Sequence, residues 1–591
     1  MITPKYLLQN IDKFGNEPAL SVKDGNGEWI TDTWNDFYQY VLDISKSLLA
    51  YNIDINEKIS IYSYNRREWY ACYAAAQYIN SVAVGIYHTS SSSEVEWIVS
   101  NSNSKILFVG NNPNDNGERD KMPIHRLFSI IDKLDNIEYV VLMGGVEKIE
   151  HSKIITWENF ISKGSAINDS NVKERNESIK LEDTSSLIYT SGTTGNPKGV
   201  ELTYNNWKFE VSKTENFLDI NQGDRYVSWL PLAHVFGQLV DNHVWIKNAL
   251  HMYVVDSPLL IIDFAKEVRP HIFIGVPRIY EKIYSNLKSA IESKTILKIG
   301  LKLPILSVLL KKKLKDAVGF TNIRYAASGA APINPDILKL FHFLDIPLFE
   351  GYGMTENTAV ATVNYHGSNK IGSVGKALHE TEIKLSEEGE VLLKGQYVMK
   401  GYYKNEEATN ESIIDGWLYT GDIGSIDSDG FLSIIGRKKE IYVSSGGKNI
   451  APLVIEETMK SISILSQCFL IGDNRRYCSA LFTLDVGAIL RDKVGIETHE
   501  ISKDPTEQLK QIKENGYSLS DFTENKDIKS EIQSNVNELN RQFSNPEQIK
   551  KFSILPRDFT IDHGELTPTL KMRRKQINEN WSDIIETMYI D

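Results

Sequence analysis

Hydrophobic and polar residues follow two different periods along the first 180 residues, which predicts a mixture of helices and strands. Apolar residues recur at helical spacing over residues 34–51, and residues 69–79 are rich in alanine and aromatic side chains, so both segments predict packed helices. Residues 58–63 alternate with the two-residue period of a strand, whereas residues 106–109 and 139–142 are short apolar runs. Because strand and helix patterns alternate, we expect an α/β fold with a largely parallel sheet.

The pattern changes near residue 437, where a basic turn leads into strand-like segments at 440–443, 468–471 and 480–484. From about residue 497 to residue 545 the chain is polar and poor in large apolar residues, which predicts exposed helices and loops, with disorder as an alternative. Since single domains usually contain about 100–200 residues, a chain of 591 residues has more than one core. We therefore predict a large N-terminal domain over residues 1–436, with several β-sheet layers flanked by helices, and a small, mobile α+β domain over residues 437–591.

Composition and charge argue against several classes of function. Lysine and arginine total 65 against 78 aspartate and glutamate, and the net charge of -13 argues against general nucleic-acid binding, which needs a basic surface. The three cysteines have no CxxC spacing and the twelve histidines form no HExxH pair, so we expect neither a disulfide framework nor a zinc site. The N-terminus lacks the features of a signal peptide, and no window approaches the ~18 uncharged apolar residues of a membrane span. We therefore expect a cytoplasmic protein.

One glycine-rich stretch carries distinctive chemistry. Residues 189–199 read Tyr-Thr-Ser-Gly-Thr-Thr-Gly-Asn-Pro-Lys-Gly and follow an apolar run that predicts a buried strand. Glycines let backbone N–H groups close around an anion, and the hydroxyls and the lysine add donors, so the stretch predicts phosphate binding. It differs from a Walker A loop because Gly192 and Gly195 are too close together and Lys198 precedes a glycine. Taken alone, it is equally consistent with a flexible surface loop.

Two later segments predict parts of a pocket. His234 ends the string Leu-Pro-Leu-Ala-His and is followed closely by an aromatic residue and a glycine, although a lone histidine in an apolar run is more often structural. Residues 326–332, Ala-Ala-Ser-Gly-Ala-Ala-Pro, follow the strand-like residues 323–325 and predict a turn of small residues. Small side chains there would let a flat ring lie close to the backbone.

Two further segments add an aromatic ring and carboxylates. Tyr352 lies between two glycines and can stack on a nucleotide base, and Thr355 and Glu356 then supply oxygen atoms of the kind that Mg²⁺ prefers. Residues 416–422 predict a tight turn before Asp422, whose carboxylate can accept hydrogen bonds from both hydroxyls of a ribose. Each segment alone is also typical of an ordinary turn.

In order and spacing, these motifs resemble those of the adenylate-forming enzymes, which include acyl-CoA synthetases, luciferases and peptide-synthetase adenylation domains. The resemblance covers roughly residues 7–575. The strings Leu-Pro-Leu-Ala-His and Ser-Ser-Gly-Gly-Lys-Asn-Ile-Ala-Pro, the latter at residues 444–452, are most similar to bubblegum-like long-chain fatty acyl-CoA synthetases. The resemblance implies ATP-dependent ligation of a long-chain fatty acid to coenzyme A through an acyl-adenylate, with release of AMP and pyrophosphate. It implies Mg²⁺ as a cofactor beside ATP and coenzyme A.

The resemblance also implies roles for individual residues. The implied catalytic residues are Lys571, Glu356 and His234. The implied nucleotide-binding residues are Thr190, Ser191, Gly192, Thr193, Thr194, Gly195, Lys198, Ser328, Gly329, Ala330, Gly351, Tyr352, Gly353, Thr355, Asp422, Arg437 and Gly446. The implied metal ligands are Thr190 and Glu356, and the implied hinge residues are Lys438 and Lys439. This chain has Thr569-Leu570-Lys571 where the family often has a glycine before the lysine, a variation that we associate with its long-chain branch.

Three other functions are compatible with these motifs. A fatty acyl-AMP ligase would stop at the adenylate and pass the acyl group to a carrier protein, and a luciferase-like enzyme would oxidise the adenylate. A non-catalytic binding protein would keep the fold but lose the catalytic lysine or the magnesium residues. The presence of both Lys571 and Glu356 disfavours this last alternative.

Residues 294–315 form a basic, leucine-rich segment within an acidic chain. They include seven lysines and no acidic residue, and Pro304 predicts a break in any helix there. Such a segment can lie in the interface of an anionic membrane, with its leucines buried and its lysines at the headgroups. Alternatively, the leucines pack on the rest of the N-terminal domain and the lysines face water. Periodicity alone leaves both alternatives open, so peripheral membrane contact is one of two predictions for this segment.

Overall fold

The computed structural model describes residues 1–112, 122–190, 196–255, 257–293, 295–443, 449–497, 500–567 and 571–590. Its strands are β1 (Pro18–Lys23), β2 (Trp29–Thr33), β3 (Lys58–Ser63), β4 (Val82–Ile86), β5 (Ser104–Gly110), β6 (Tyr139–Leu142), β7 (Ile154–Thr156), β8 (Thr184–Thr190), β9 (Lys198–Thr203), β10 (Arg225–Ser228), β11 (His251–Val254), β12 (Ile272–Gly275), β13 (Tyr325–Ser328), β14 (Leu348–Tyr352), β15 (Thr362–Val363), β16 (Lys376–Ala377), β17 (Glu382–Leu385), β18 (Glu390–Lys394), β19 (Gly401–Tyr402), β20 (Ile413–Ile414), β21 (Trp417–Ile426), β22 (Leu432–Arg437), β23 (Tyr442–Val443), β24 (Asn449–Ile450), β25 (Leu465–Ile471), β26 (Cys478–Leu484) and β27 (Ile549–Ile554).

The α-helices are α1 (Thr3–Phe14), α2 (Trp34–Ala50), α3 (Arg67–Tyr78), α4 (Ser92–Ser102), α5 (Pro123–Phe128), α6 (Trp157–Gly164), α7 (Asp169–Glu177), α8 (Tyr204–Lys213), α9 (Val235–Gln238), α10 (Trp245–Asn248), α11 (Ile261–Val268), α12 (Pro277–Ser293), α13 (Thr295–Gly300), α14 (Pro304–Ala317), α15 (Pro335–Phe343), α16 (Glu406–Ser412), α17 (Pro452–Met459), α18 (Val486–Ile489), α19 (Pro505–Glu514), α20 (Ser520–Thr523), α21 (Lys526–Leu539), α22 (Arg574–Asn580) and α23 (Ser582–Thr587). Two π-helical turns occupy Leu239–Val244 and Leu490–Val494. Short 3-10 segments occupy Ile131–Lys133, Thr214–Asn216, Pro258–Leu260, Thr355–Asn357, Asn540–Gln542 and Asn545–Glu547.

The chain divides into two compact units. The larger unit comprises Met1–Ala331, Lys339–Lys384 and Leu392–Tyr419, and the smaller unit comprises Pro332–Leu338, Leu385–Val391 and Thr420–Asp591. Both units combine sheets with helices, which confirms the predicted α/β class with a larger N-terminal and a smaller C-terminal part. The boundary after residue 436 and the mobility of the C-terminal domain stay predictions.

One sheet of the larger unit has eight strands in the order β19-β9-β8-β4-β3-β5-β6-β7. All pairs from β8 to β7 along this order are parallel, whereas β8–β9 and β9–β19 are antiparallel. Every residue of β4 is buried, and β3 and β5 are buried over nearly their whole length. Parallel strands covered on both faces are apolar without alternation, which explains the runs at 106–109 and 139–142. The largely parallel sheet is confirmed.

Helix α2 shows how the periodic pattern specifies a local element. The Thr33 hydroxyl accepts a hydrogen bond from the backbone N–H of Asp36, and the Asp36 carboxylate accepts one from the backbone N–H of Thr33, which together cap the helix. Its buried apolar residues are Trp34, Phe37, Val41, Leu42, Ile44 and Leu48. Their spacing places them on one face, so the helix predicted over residues 34–51 is confirmed.

The other large sheet has nine strands in the order β16-β15-β14-β13-β12-β10-β11-β1-β2. The strands from β14 to β1 pair in parallel, and the two edges of the sheet are antiparallel. The carboxyl ends of the parallel strands therefore lie along one side of the sheet, where ligands of open α/β sheets usually bind.

The turn predicted at residues 326–332 is wrong in its first part. Tyr325–Ser328 form the buried strand β13, which pairs in parallel with both β12 and β14. Ala326, Ala327 and Ser328 show no alternation of apolar and polar side chains, so the sequence pattern does not predict a strand here. Backbone hydrogen bonding to β12 and β14 specifies it instead. The irregular segment begins only at Gly329.

Buried polar side chains fix the carboxyl end of β10. The Tyr70 hydroxyl of α3 lies 2.6 Å from the Oγ of Ser228, and Ser228 and Tyr226 both donate hydrogen bonds to the Asp241 carboxylate. Burial raises the pKa of Asp241 to about 7, even though both hydrogen bonds favour its charged form. Because each of these buried groups needs its partner, the network holds the strand end against α3.

The smaller unit contains a three-stranded sheet of order β25-β26-β27, antiparallel in its first pair and parallel in its second. Ile528, Ile532 and Val536 of α21 are buried in the same hydrophobic cluster as Cys468 and Phe482. The helices predicted within residues 497–545 are present, but α21 is not simply exposed, because one of its faces is buried. The buried residues of α21 are single apolar residues four positions apart, which form one narrow helix face. So sparse a pattern is hard to recognise in a sequence that is otherwise charged.

The three cysteines are free and buried. Burial raises the pKa of the Cys72, Cys468 and Cys478 thiols. A raised pKa keeps each thiol protonated, and the protonated form is not nucleophilic.

The basic segment at residues 294–315 contains α13 and α14 with a break between them. Pro304 is the first residue of α14, a position where proline is favoured because no backbone N–H is needed, so the predicted break is confirmed. Within the part of the chain that the structure describes, no helix is long and apolar enough to cross a bilayer.

Candidate active site

The predicted phosphate-binding loop connects β8 to β9. These strands pair antiparallel, with Thr190 at the end of β8 opposite Lys198 at the start of β9. The predicted site residues that lie outside the described residues are Ser191, Gly192, Thr193, Thr194, Gly195 and Gly446. The pairing of Thr190 with Lys198 places a hydroxyl and an ammonium group at the two ends of one short connection.

Aromatic residues hold both ends of this loop. The Trp97 indole N–H donates to the backbone oxygen of Pro197 at 2.9 Å. On the adjoining strands, a Cβ at Gly199 would lie 3.0 Å from the Tyr189 ring, whose hydroxyl donates to Asn101 Oδ1 at 2.6 Å. A side chain at Gly199 would therefore crowd the Tyr189 ring.

One tyrosine connects the predicted phosphate-binding lysine with the predicted metal-binding carboxylate. The Tyr402 hydroxyl donates to Glu356 Oε1 at 2.8 Å, and Lys198 Nζ lies 5.0 Å from the centroid of the Tyr402 ring. Tyr402 belongs to β19, which pairs with β9, so a backbone ladder fixes its place beside Lys198. The structure therefore brings Lys198 and Glu356 into one neighbourhood.

Sequence reasoning misses Tyr402. It lies 46 residues after Glu356, in the string Lys-Gly-Tyr-Tyr-Lys, which resembles an ordinary exposed strand end. The one available signal is an aromatic residue directly after a glycine, the same feature that marks Tyr352. Its role depends on a long-range strand pairing that no local pattern reveals.

The predicted residues Tyr352, Gly353 and Glu356 lie at the end of β14 and in the turn that follows it. Gly351 and Tyr352 are the last residues of the strand. Gly353 has no room for a side chain, because a Cβ there would lie 1.9 Å from the backbone oxygen of Ala359. The next turn, Thr355–Asn357, is a single 3-10 turn in which Thr355 and Glu356 are buried.

The segment that contains His234 lies against the end of β13, where Ser328 is followed by the irregular residues Gly329 and Ala330. A Cβ at Gly329 would lie 3.2 Å from the Phe236 ring, so a glycine allows this close approach. His234 caps α9, and its Nδ1 accepts a hydrogen bond from the backbone N–H of Phe236 at 3.2 Å. That contact places the proton of the neutral imidazole on Nε2. Two predicted pocket segments are thus brought together.

Ser328 has a property that suits a ligand-binding residue. Its side chain is buried at the end of β13, and its hydroxyl has no hydrogen-bond partner among the residues that the structure describes. A buried hydroxyl without a partner costs folding free energy, and a polar atom of a bound molecule would remove that cost. After Gly329, Ala330 has a φ of +69°, so the chain turns sharply at this point.

The donor atoms near the loop fit a magnesium ion that is bound largely through its substrate. Glu356 offers a carboxylate oriented by Tyr402, and Thr190 offers a hydroxyl. In the described ranges, no group of three or more His, Cys, Asp or Glu side chains could hold a metal by itself. Mg²⁺ usually binds through one or two carboxylates plus phosphate oxygens and waters, which matches this donor set. Thr190 and Glu356 stay predicted ligands.

In the smaller unit, Asp422 and Arg437 form an ion pair across two strands. They are directly opposite in the antiparallel pair β21–β22, and Arg437 Nε lies 2.9 Å from Asp422 Oδ1. Of the turn predicted over residues 416–422, only the start is present, at Gly416 with a φ of +78°, since Asp422 lies within the ten-residue strand β21. Gly421 nevertheless has a φ of +72°, which is the local feature that makes the sequence resemble a turn.

Lys438, one of the two predicted hinge residues, is anchored within the smaller unit. Its Nζ lies 2.7 Å from Glu388 Oε2 and 2.9 Å from Glu390 Oε2. Hydrogen bonds to Glu388 and Glu390 raise the pKa of Lys438. Its backbone N–H donates to the backbone oxygen of Gly421 at 2.8 Å. The hinge at Lys438 and Lys439 stays a prediction.

Lys571 lies exposed, and two hydrogen bonds tie its backbone to Thr567. The Thr567 N–H donates to the backbone oxygen of Lys571 at 2.8 Å, and the Lys571 N–H donates to Thr567 Oγ1 at 3.0 Å. Residues 568–570 lie outside the described residues. Close to Thr567 in sequence, the buried Glu565 carboxylate pairs with Arg557 at 2.6 Å and accepts a hydrogen bond from the Trp581 indole at 2.8 Å.

Known proteins are similar to this chain over most of its length. The family model described as "AMP-binding enzyme" matches residues 7–403. The long-chain-fatty-acid–CoA ligase ACSBG2 of Gallus gallus is 30% identical over 622 aligned residues, which cover 98% of this chain and 80% of that protein. The long-chain-fatty-acid–CoA ligase FadD15 of Mycobacterium bovis is 30% identical over 95% of this chain and 93% of that protein.

Solved structures share the fold. The A domain of carboxylic acid reductase from Segniliparus rugosus, in complex with AMP and a co-purified carboxylic acid, has a TM-score of 0.76 at 18% identity and covers 100% of this chain and 94% of that chain. The anthranilate CoA ligase AuaEII, in complex with anthranoyl-AMP, has a TM-score of 0.74 at 17% identity and covers 99% of this chain and 98% of that chain. At these identities the similarity shows the fold alone, and it confirms the predicted fold class.

We expect Tyr402→Phe to weaken the binding of Mg·ATP by about tenfold or more, because a hydrogen bond to a charged group contributes about 1.5–3 kcal/mol. Isothermal titration calorimetry on the folded protein measures this change. Tyr403→Phe removes a hydroxyl from the next residue and is the matched control, with affinity expected to stay within about twofold of the wild type. Equal affinities for the two variants would contradict a role of Tyr402 in orienting Glu356.

Proposed function

Since this chain belongs to the AMP-binding enzyme family, we propose that it is a long-chain-fatty-acid–CoA ligase. It uses ATP to join the carboxylate of a long-chain fatty acid to the thiol of coenzyme A through an acyl-adenylate, and it releases AMP and pyrophosphate. The observation that carries this proposal is the contact of Tyr402 with both Lys198 and Glu356. It joins a cation and a carboxylate of the kind that a magnesium-bound triphosphate needs. Similarity over nearly the full chain to long-chain fatty acid ligases supports the substrate class.

In the first half-reaction, a carboxylate oxygen of the fatty acid attacks the α-phosphorus of ATP, and the bond to the pyrophosphate oxygen breaks. The protein acts mainly by positioning the reactants and neutralising their charge. Lys198 and the hydroxyls of its loop bind the departing phosphates. Thr190 and Glu356 would hold Mg²⁺, whose positive charge neutralises phosphate oxygens when it is bound.

The remaining predicted residues hold the nucleotide and the acyl group. Tyr352 stacks on adenine, and the buried Ser328 hydroxyl forms a hydrogen bond with a polar atom of the bound substrate. Asp422 accepts hydrogen bonds from the ribose hydroxyls, with Arg437 beside it. His234, whose segment packs on Gly329 through Phe236, borders the acyl chain.

In the second half-reaction, the thiolate of coenzyme A attacks the carbonyl carbon of the acyl-adenylate, and the bond to the AMP oxygen breaks. Lys571 is assigned to the first half-reaction, where its ammonium group balances the charge that develops on the phosphate oxygens. Rotation about Lys438 and Lys439 would then withdraw Lys571 and admit coenzyme A, a hinge-type domain movement.

The purified protein is expected to release pyrophosphate from Mg·ATP with saturated fatty acids, most efficiently with long chains. With coenzyme A, acyl-CoA and AMP should form in equal amounts over many turnovers, as measured by mass spectrometry. Without coenzyme A, product should stop near one acyl-adenylate per enzyme. An adenylate that coenzyme A does not consume but a phosphopantetheine-bearing carrier protein does would instead identify a fatty acyl-AMP ligase, and light emission would identify an oxygenase.

Lys571→Ala is expected to slow adenylation by about two orders of magnitude or more, because one cation of the transition state is lost. Thioester formation from preformed acyl-adenylate and coenzyme A should be largely retained. Rapid-quench assays of the two half-reactions measure both effects. Lys575→Ala removes an exposed lysine four residues away and is the matched control. Equal loss of both half-reactions in Lys571→Ala would contradict a role of Lys571 that is specific to the first half-reaction.

We further propose that the protein docks on anionic membranes through α14. Ile305, Val308 and Leu309 are 86%, 68% and 63% exposed, and their spacing places them on one side of the helix. Leu314 is the buried residue of this fully described helix. Exposed leucine, isoleucine and valine side chains support membrane contact over packing of this stripe into the core. We call Ile305, Val308, Leu309, Lys312 and Lys313 the α14 face.

The exposed lysines on and beside the α14 face favour an anionic bilayer as its partner. Lys302, Lys312 and Lys313 are exposed in a protein of net charge -13. Lys311 is already paired, since its Nζ lies 3.2 Å from Asp345 Oδ1. Each exposed lysine near an anionic surface contributes about 1 kcal/mol to binding, and the apolar side chains add area that leaves water. A membrane is also where an insoluble fatty acid substrate resides.

Co-sedimentation with vesicles is expected to rise with the anionic lipid fraction and to fall with salt. The triple variant Lys302→Glu, Lys312→Glu, Lys313→Glu should lose most of this binding. The triple variant Lys510→Glu, Lys513→Glu, Lys526→Glu, which changes three exposed lysines of the smaller unit, has the same charge change and should keep more of it. If both folded variants sediment like the wild type, the α14 face is not a membrane-binding surface.

A further inference from the structure

Two consecutive residues shortly after Glu356 have a left-handed backbone conformation. Thr358 has a φ of +58° and Ala359 has a φ of +94°. Residues with a Cβ rarely adopt such values, and a β-branched residue such as threonine does so least of all. Strained backbone of this kind persists only where surrounding contacts hold it, and it is common at binding sites. We call residues 358–360 the strained turn.

The strained turn contacts the backbone of the predicted nucleotide site. The Ala359 N–H donates to the backbone oxygen of Met354 at 3.1 Å, and the N–H of Ala361, the residue after the turn, donates to that of Tyr352 at 2.8 Å. The backbone oxygen of Ala359 is also the atom that excludes a side chain at Gly353. Any displacement of the strained turn would therefore move Tyr352 and the residues that follow it.

A buried ion pair on α8 holds this turn. Glu210 and Lys213 are both buried, and Lys213 Nζ lies 2.7 Å from Glu210 Oε2. Lys213 Nζ also donates to the backbone oxygen of Val360 at 2.7 Å. The ammonium group of the pair thus binds the backbone of the last residue of the strained turn, while Glu210 holds that ammonium group in place.

Burying this pair costs folding free energy. Burial raises the pKa of Glu210 to about 7 and lowers the pKa of Lys213, although each partner favours the charged form of the other. Replacing a buried ion pair with apolar residues of similar size is often neutral or stabilising, so stability alone does not account for it. The directed hydrogen bond from Lys213 to the Val360 backbone oxygen is what an apolar pair could not supply.

We propose that Glu210 and Lys213 are positioning residues that hold the strained turn, and through it Tyr352 and Glu356, in the geometry that binds Mg·ATP. The proposal rests on the proposed function for the identity of the ligand. Lys213 acts through the backbone oxygen of Val360, and Glu210 acts by holding the Lys213 ammonium group.

Lys213→Met tests the proposal, because methionine keeps much of the volume and removes the ammonium group. We expect this variant to bind Mg·ATP about tenfold more weakly or worse, while its affinity for the fatty acid stays within about twofold. Calorimetry is performed at a temperature where circular dichroism shows each variant to be folded. In steady state, the KM for ATP should rise more than the KM for the fatty acid.

Asp32→Asn is the matched control. It neutralises a carboxylate that accepts a hydrogen bond from the Arg67 guanidinium at 2.8 Å. Asp32 lies in β2, which is at one edge of the nine-stranded sheet, whereas the site strands β14 to β16 are at the other edge. The control should lose stability without a selective loss of ATP affinity. If Lys213→Met does not fold, Glu210→Gln, which is nearly isosteric, carries the same expectation.

A rescue variant separates positioning from a general structural role. Glycine adopts positive φ without strain, so Ala359→Gly in the Lys213→Met background should recover most of the lost ATP affinity. Lys213→Met that binds Mg·ATP like the wild type, or a double variant with no recovery, overturns the positioning proposal alone. A wild-type protein that binds no Mg·ATP overturns the proposed function and this proposal together.

Discussion

The parallel backbone ladders on the two sides of β13 are the constraint on which the site in the larger unit depends. Because Ala326, Ala327 and Ser328 are small, this part of the strand is located by hydrogen bonds to β12 and β14. Ser328 lies opposite Glu350 of the neighbouring strand β14, which ends two residues later at Tyr352. The His234 segment follows β10 and packs on Gly329 through Phe236. Segments far apart in sequence thus converge because their strands are neighbours.

Two carboxylates are held by donors of different charge, and this difference suits them to different ligands. Glu356 receives a hydrogen bond from the neutral hydroxyl of Tyr402, which orients the carboxylate and leaves its negative charge available for a cation. Asp422 is paired with the guanidinium of Arg437, which already balances its charge. A charge-balanced carboxylate is better suited to neutral hydroxyl groups than to a metal ion.

Elements with a strong period could be predicted from the sequence, whereas those defined by distant partners could not. The helix near residues 34–51 was predictable because its hydrophobic period matches its buried face. The strand at 139–142 was predictable because a short apolar run is typical of a strand buried on both faces, and the strand at 58–63 was predictable from its alternating sequence, although its burial does not alternate. The motif order was enough to indicate the site segments around Lys198, His234 and Glu356. Strand β13 has no periodic side chains, and Tyr402 matters only through pairing with a strand two hundred residues earlier. The Glu210–Lys213 pair looks like an ordinary helical surface pair until its burial is known.

The buried thiols have a consequence for how movement of this protein can be followed. A maleimide reagent needs an accessible thiolate, and Cys72, Cys468 and Cys478 are buried with raised pKa values. We therefore expect the native cysteines to react little with a thiol label while the protein is folded. A single cysteine introduced on an exposed surface of either unit becomes a unique attachment point for a fluorophore or a spin label. Distances between two such labels can then be recorded through a catalytic cycle without removing any native residue.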